Sequence, residues 1–224
     1  MSKKMMLLAL AAVSAVMFVL PAAASANWGV TPGNAKFTGS GGSGSLFAAG
    51  EPTITCAGPN TGTGQYDGSG TTGSATLHFT KCTAEFLGIT VPCSTKTTEP
   101  ESETISTSGT FHNVTITGGK RGTLFTAATT VIKCKNIANT ITVTGSIIGE
   151  VDAPAGCPVV TKTLETTFLV SGGSQVHKTT DGHATEYDLS ATTAGGSAVT
   201  GALQATAKDT FTEPSEVTID CNTP

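Results

Sequence analysis

From Thr140 to Ser146 the side chains alternate without a break. Ile141 and Val143 fall on one side of an extended chain, Thr140, Thr142 and Thr144 fall on the other, and Ile147 resumes the apolar side beyond Gly145. A two-residue period suits a half-buried strand, whereas a helix would scatter those apolar groups around its circumference. The same period recurs in Leu77 and Phe79, Val114 and Ile116, Leu164 with Phe168 and Val170, and Val217 with Ile219, with Gly, Asn, Asp and Pro clusters between the runs. No segment after Ala26 carries a helical period. Composition agrees, since Thr supplies nearly a fifth of the residues and charged residues only 12%; Thr and Val fit a pleated sheet better than a helix. Many short strands with frequent turns predict an all-β fold, an antiparallel β-sandwich with a jelly-roll-like arrangement as one form of it.

The N-terminus reads as a secretory signal. Lys3 and Lys4 precede an apolar run from Met5 to Leu20, and Pro21 leads into small residues ending Ala24-Ser25-Ala26. A run of about 16 apolar residues is short for a membrane span of roughly 20, and the small residues fit a signal peptidase cleft. Cleavage is expected after Ala26, giving a signal peptide over 1–26 and no stable membrane insertion afterwards. Without Lys3 and Lys4, 10 basic side chains face 16 acidic ones, a net charge of −6. That balance argues against a nucleic-acid partner, because phosphate binding draws on clustered Lys and Arg. The nearest approaches to such clusters are Lys120-Arg121 and the spaced Lys133 and Lys135.

Cys56, Cys82, Cys93, Cys134, Cys157 and Cys221 all lie beyond the cleavage point. In an oxidising compartment an even set is most simply three disulfides, and no pair has the spacing of a zinc knuckle or a thioredoxin-type redox site. Of the pairings open to the set, Cys82 with Cys93 is favoured, with Phe86-Leu87-Gly88-Ile89 folding back between them.

The run from Thr38 to Ser45 is nearly all Gly and Ser, which reads as a flexible N-terminal arm over 27–50. The small-residue stretch from Ala57 to Gly73 reads as an exposed loop. A disulfide-stabilised sandwich domain over 51–224 follows. Ile54-Thr55-Cys56, Ile132-Lys133-Cys134 and Ile219-Asp220-Cys221 share a β-branched, polar, Cys pattern, which keeps open an alternative of two small sandwiches divided near 130.

Candidate chemistry is sparse. Asp181-Gly182 between alternating arms predicts a two-residue hairpin, which pairs His177 with Glu186, sends His183 to the opposite face and turns Val176, Tyr187 and Leu189 inward. Two histidines on opposite faces cannot chelate one ion, so no metal is expected there. Gly68-Ser69-Gly70-Thr71-Thr72-Gly73 matches the letters of a dinucleotide fingerprint, but no helix follows to receive a pyrophosphate, and a flexible turn is expected. No GxSxG or HExxH occurs, Glu99, Glu101 and Glu103 read as a solvated acidic loop, and one Trp, Trp28, makes a poor aromatic platform for sugars. Asn113-Val114-Thr115 satisfies the glycosylation pattern but lies within a strand.

The block from Thr76-Leu77-His78-Phe79-Thr80-Lys81-Cys82 through Val91-Pro92-Cys93 to Thr142-Val143-Thr144-Gly145-Ser146-Ile147-Ile148-Gly149 resembles exported actinobacterial β-rich proteins of unknown function. The resemblance spans about half of the mature chain and implies an exported cysteine-bearing β protein, with no catalytic or binding residues to transfer.

The expectation is therefore a secreted or cell-envelope protein, more a non-enzymatic structural or interaction module than an enzyme, with no cofactor and no catalytic residues. Its partner would be a cell-surface or extracellular protein or glycan. The alternatives are a secreted hydrolase with a loop-assembled site and a sugar- or calcium-binding module. An enzyme would gather ionisable groups such as His78, His112, His177 or His183 in a cleft beside a Ser and an acid, whereas a scaffold would scatter them.

Overall fold

The computed structural model describes residues 28–221 apart from 139, 155, 182–184 and 194–195. The expected signal peptide, His183 and the Gly of the Asp181-Gly182 turn lie outside the described residues. In chain order the strands are β1 (Trp28–Thr31), β2 (Lys36–Ala48), β3 (Ile54–Cys56), β4 (Asn60–Tyr66), β5 (Thr72–Thr80), β6 (Cys82–Phe86), β7 (Ile89–Ser94), β8 (Thr104–Ile116) and β9 (Lys120–Cys134). They continue with β10 (Thr140–Asp152), β11 (Val159–Thr161), β12 (Thr163–Phe168), β13 (Val170–Ser171), β14 (Ser174–Gln175), β15 (Leu189–Thr193), β16 (Val199–Glu213) and β17 (Val217–Cys221). The chain is all-β, as its two-residue period predicts.

The expected sandwich is instead a closed barrel. Following the antiparallel pairings, β2–β4–β5–β8–β9–β10–β12–β16 returns to β2, a ring of eight strands. A second ring of eight shares four of those strands and runs β2–β3–β6–β7–β9–β10–β15–β16. The long strands β2, β9, β10 and β16 thread both rings, and the shorter ones fill the gaps at two levels. At the lower level β2 pairs with β4 over Lys36 to Gly41; at the upper level it pairs with β3 over Gly44 to Leu46. Closure satisfies the strand edges that an open sheet would leave to water or to other chains. The sequence misses it because alternation fixes which side chains face inward, not whether the first and last strands meet.

Both Gly-rich stretches are sheet. Thr38 to Ser45 lies inside β2, hydrogen-bonded to β16 on one side and to β4 and β3 on the other, so the expected flexible arm is a central strand. Ala57 to Gly73, expected as a loop, contains β4 and the start of β5. The glycines make room. A Cβ on Gly64 would lie 2.2 Å from the Phe37 ring, one on Gly73 2.5 Å from Phe111, and one on Gly109 2.8 Å from Phe125. Three inward Phe rings thus lie over bare backbone of a neighbouring strand, which lets a small barrel hold large rings.

Residue 130 falls mid-strand in β9, which pairs with β10 on both sides of it. The three-stranded sheet β1–β17–β11 sits at the lower end and contributes Trp28, Val30, Val217 and Ile219 to the core shared with the barrel. The Trp28 indole N–H donates to the Val114 carbonyl at 3.0 Å. A smaller core lies outside the barrel wall, where Tyr187 packs with Val114, Ile116, Leu124 and Ile148 beneath the segment that crosses β8 to β10.

Candidate functional site

All six cysteines are bridged, as Cys56–Cys82, Cys93–Cys134 and Cys157–Cys221. The favoured Cys82–Cys93 pairing is therefore incorrect. Phe86 to Ile89 does fold back as the β6–β7 hairpin, but Cys82 and Cys93 face other strands. Cys56 lies directly opposite Cys82 on the β3–β6 ladder, and Cys93 directly opposite Cys134 on β7–β9. Each cystine reinforces a short ladder, of three pairs for β3–β6, two for β7–β9 and three for β11–β17, the strand ending at Cys221. Loop closure over separations of 26, 41 and 64 residues makes each worth roughly 3.5 to 4.5 kcal/mol in the chain-entropy account.

The histidines are dispersed. His78 is exposed on the outer face, its Nδ1 2.9 Å from the Ser106 hydroxyl. His177 meets Glu150 on β10 at 3.3 Å rather than Glu186, because the Tyr187 N–H donates to the Lys178 carbonyl and shifts the register of the expected hairpin. Tyr187 and Leu189 are buried as expected, but Val176 is 47% exposed. His112 comes nearest to a catalytic setting, since its groove on the outer wall also holds Asp67 and Ser74. Burial lowers the His112 pKa, partly offset by the Asp67 charge. The Asp67 carboxylate, however, is held low by hydroxyl donation from Thr72 and Ser69, and His112 hydrogen-bonds neither a serine nor that acid. A nucleophile needs its base within hydrogen-bond reach, so the groove holds the residue types without the relay.

Those same Asp67 contacts tie down the glycine-rich loop, which also accepts from Val30 N–H and Asn113 through the Gly70 carbonyl. It is a pinned turn, not a flexible one. Glu99 and Glu101 pair with Lys96 and Lys135 on the surface, and Lys120 pairs with Glu150 at 2.7 Å. Trp28 and Asn113 are buried, so neither presents a sugar platform or a glycan acceptor in the folded chain. No group of three or more metal-ligating side chains converges among the described residues.

Two cavities are lined by inward-facing side chains of the barrel. An upper cavity of ≈ 70 Å³ is walled by aliphatic groups such as Leu46, Ile54, Ile132 and Leu203, with the Thr107 and Thr130 hydroxyls bonded to each other at 2.7 Å. A lower cavity of ≈ 80 Å³ shares Leu77 and Phe125 with it and is walled by aromatic rings. Phe37 is the hub there, with ring centroids 5.8 Å from Phe111, 6.1 Å from Tyr66 and 6.3 Å from Phe211, all edge-on.

One carboxyl stands among these rings. Asp209 on β16 points inward opposite Gly39, where a Cβ would lie 2.7 Å from its Oδ1. Like Phe37, Leu77 and Ala207, it keeps some accessible surface because it borders the cavity. Burial raises its pKa to about 7, against partial relief from the Thr166 hydroxyl, and no cation pairs with it among the described residues. Tyr66 nearby is held neutral, its pKa raised mainly by burial. Alternation along β16 could have flagged Asp209, which takes an inward position between Ala207 and Phe211; without the barrel there was no interior for it to face.

No known protein family, curated protein or solved structure matches the chain.

Proposed function

We propose that the protein works outside the cytoplasm as a secreted or cell-envelope module, non-enzymatic, whose task is to hold a shape and present or enclose a partner. The observation that supports this reading is the placement of the cystines. All six cysteines are bridged, and each bridge reinforces a ladder of only two or three pairs. Such an arrangement suits a chain that must persist in an oxidising environment, where disulfides form and last. The scattered histidines and the carboxylates paired on outer faces support a scaffold over a hydrolase. The hollow interior favours a second reading within the same class, a module that encloses a small ligand.

The test is intact mass of the protein recovered from the producing cells' medium or envelope, with and without reduction. A chain beginning at Asn27 and lighter than its reduced form by about six hydrogens is the expected result. An uncut N-terminus or free thiols would overturn the reading.

A further inference from the structure

We propose that the lower cavity is a binding site for a small organic cation, an alkylated ammonium held by the Asp209 carboxylate inside a cage of aromatic rings. This rests on the barrel having an interior to fill and goes beyond the exported-module reading. A null result in the titrations below leaves that reading standing, because secretion and cystine content test it separately.

The argument begins with a mismatch. A carboxyl taken out of water without a cation, a metal or several donors is destabilising, and Asp209 has the Thr166 hydroxyl and the cavity before it. An apolar residue at this position would continue the surface formed by Ala207 and Phe211, so nothing in the packing calls for an acid. Phe37, Tyr66, Phe111, Phe211 and Trp28 line the same cavity as the carboxyl. Aromatic faces attract cations through their quadrupole, most strongly when both are desolvated, and a carboxylate supplies the opposite full charge. Together they favour a cation with an apolar surface. A strongly hydrated metal ion would lose its water to rings that cannot replace it, and an anion would be repelled. A cavity of ≈ 80 Å³ limits the occupant to a small head group.

Among the residues lining the cavity from every surrounding strand, Tyr66 is the only titratable group besides Asp209, and its raised pKa keeps it neutral throughout the working range. Binding therefore follows one ionisation. The carboxyl is neutral below about 7 and charged above, so affinity for a cation should be flat at high pH and fall about tenfold per pH unit on the acid side.

Trp28, the single tryptophan, lies in the cavity wall and reports occupancy by its emission. The full disulfide-bonded protein is titrated with tetramethylammonium chloride at pH 8 and pH 5, and with tert-butanol as an uncharged probe of similar shape, followed by fluorescence and calorimetry. Saturable binding of tetramethylammonium at pH 8, at least tenfold weaker at pH 5, is expected. Asp209→Asn removes the charge and keeps the volume; it should fold, as circular dichroism verifies, lose tetramethylammonium binding at least tenfold and retain tert-butanol. Lys208→Gln, on the exposed face of the same strand and outside the cavity lining, should keep tetramethylammonium binding. No saturation by tetramethylammonium at pH 8, equal binding to Asp209→Asn, or native protein preferring tert-butanol would each overturn the proposal.

Discussion

The two levels of the barrel hold themselves together by different means. The lower ring is closed by long ladders: β5 pairs with β8 from Thr72 to Thr80, β8 with β9 from Gly109 to Ile116, and β12 with β16 from Thr163 to Phe168. The upper ring shares the same through-strands but fills its gap with β3, β6 and β7, whose ladders are short. Two of the three cystines are in that upper gap. Where hydrogen bonds and buried rings suffice, the chain can leave an acid and a cavity inside; where ladders are short, covalent bonds take over. Stability here is therefore local in origin, and each level should respond to its own kind of damage.

The largest separation of the two comes from removing both upper cystines. A variant with Cys56, Cys82, Cys93 and Cys134 all replaced by alanine should lose roughly 7 kcal/mol in total. Hydrogen exchange should show β3, β6 and β7 opening before the lower ladders, and uniform opening of both levels would break the comparison. Next is Phe37→Ala, which empties the hub of the lower aromatic cluster and should cost about 3 to 5 kcal/mol in urea denaturation, against a smaller loss for Leu203→Ala in the upper cavity, where the side chain removed is smaller and only partly buried.

Asp209→Asn should act in the opposite direction. Because burial raises the Asp209 pKa to about 7 above its unfolded value near 4, the native state binds the extra proton between those limits. Native stability then falls as pH rises through that window and levels off above about 7. The variant should remove that slope and be more stable at pH 8, by at most about 4 kcal/mol; equal pH dependence in both proteins would show that the carboxyl is not shielded. The smallest effect is at the upper hairpin tip, where Leu87 sits at φ 51° and is 87% exposed. Leu87→Asn should stabilise by about 1 kcal/mol, since asparagine tolerates the left-handed conformation, measured as a shift in the thermal midpoint.

Much of the fold was legible residue by residue. Ile141, Val143 and Ile147 are all buried, as their spacing requires, and the repeated endings at Cys56, Cys134 and Cys221 each terminate a strand that carries a cystine. Those endings look alike because each turns a β-branched residue into the core, a polar one outward and a sulfur toward a neighbouring strand. What could not be read was partnership across long sequence distance. Cys82 has Cys93 nearer in sequence, yet its ladder partner is Cys56. The glycines of β2 and β4 read as slack because their role depends on rings from other strands. His177 found Glu150 rather than Glu186 since its segment lies against the barrel wall instead of forming a free hairpin. The interior that gives Asp209 its meaning exists only after β2 meets β16.

That last pairing has a consequence for how the chain comes into being. Residues 36–48 lie alongside residues 201–213, with two register shifts along the ladder, so the seam of both rings joins an early strand to one made long after it. Until β16 arrives, β2 carries an open edge of thirteen residues, and no earlier strand can complete either circle. A chain stopped short of Val199 would be an unfinished sheet with two sticky margins, liable to self-association, whereas the finished one leaves neither ring with a margin to offer. Assembly is thus a single late event governed by long-range contact, and loss of the final two dozen residues would be felt at the other end of the sequence.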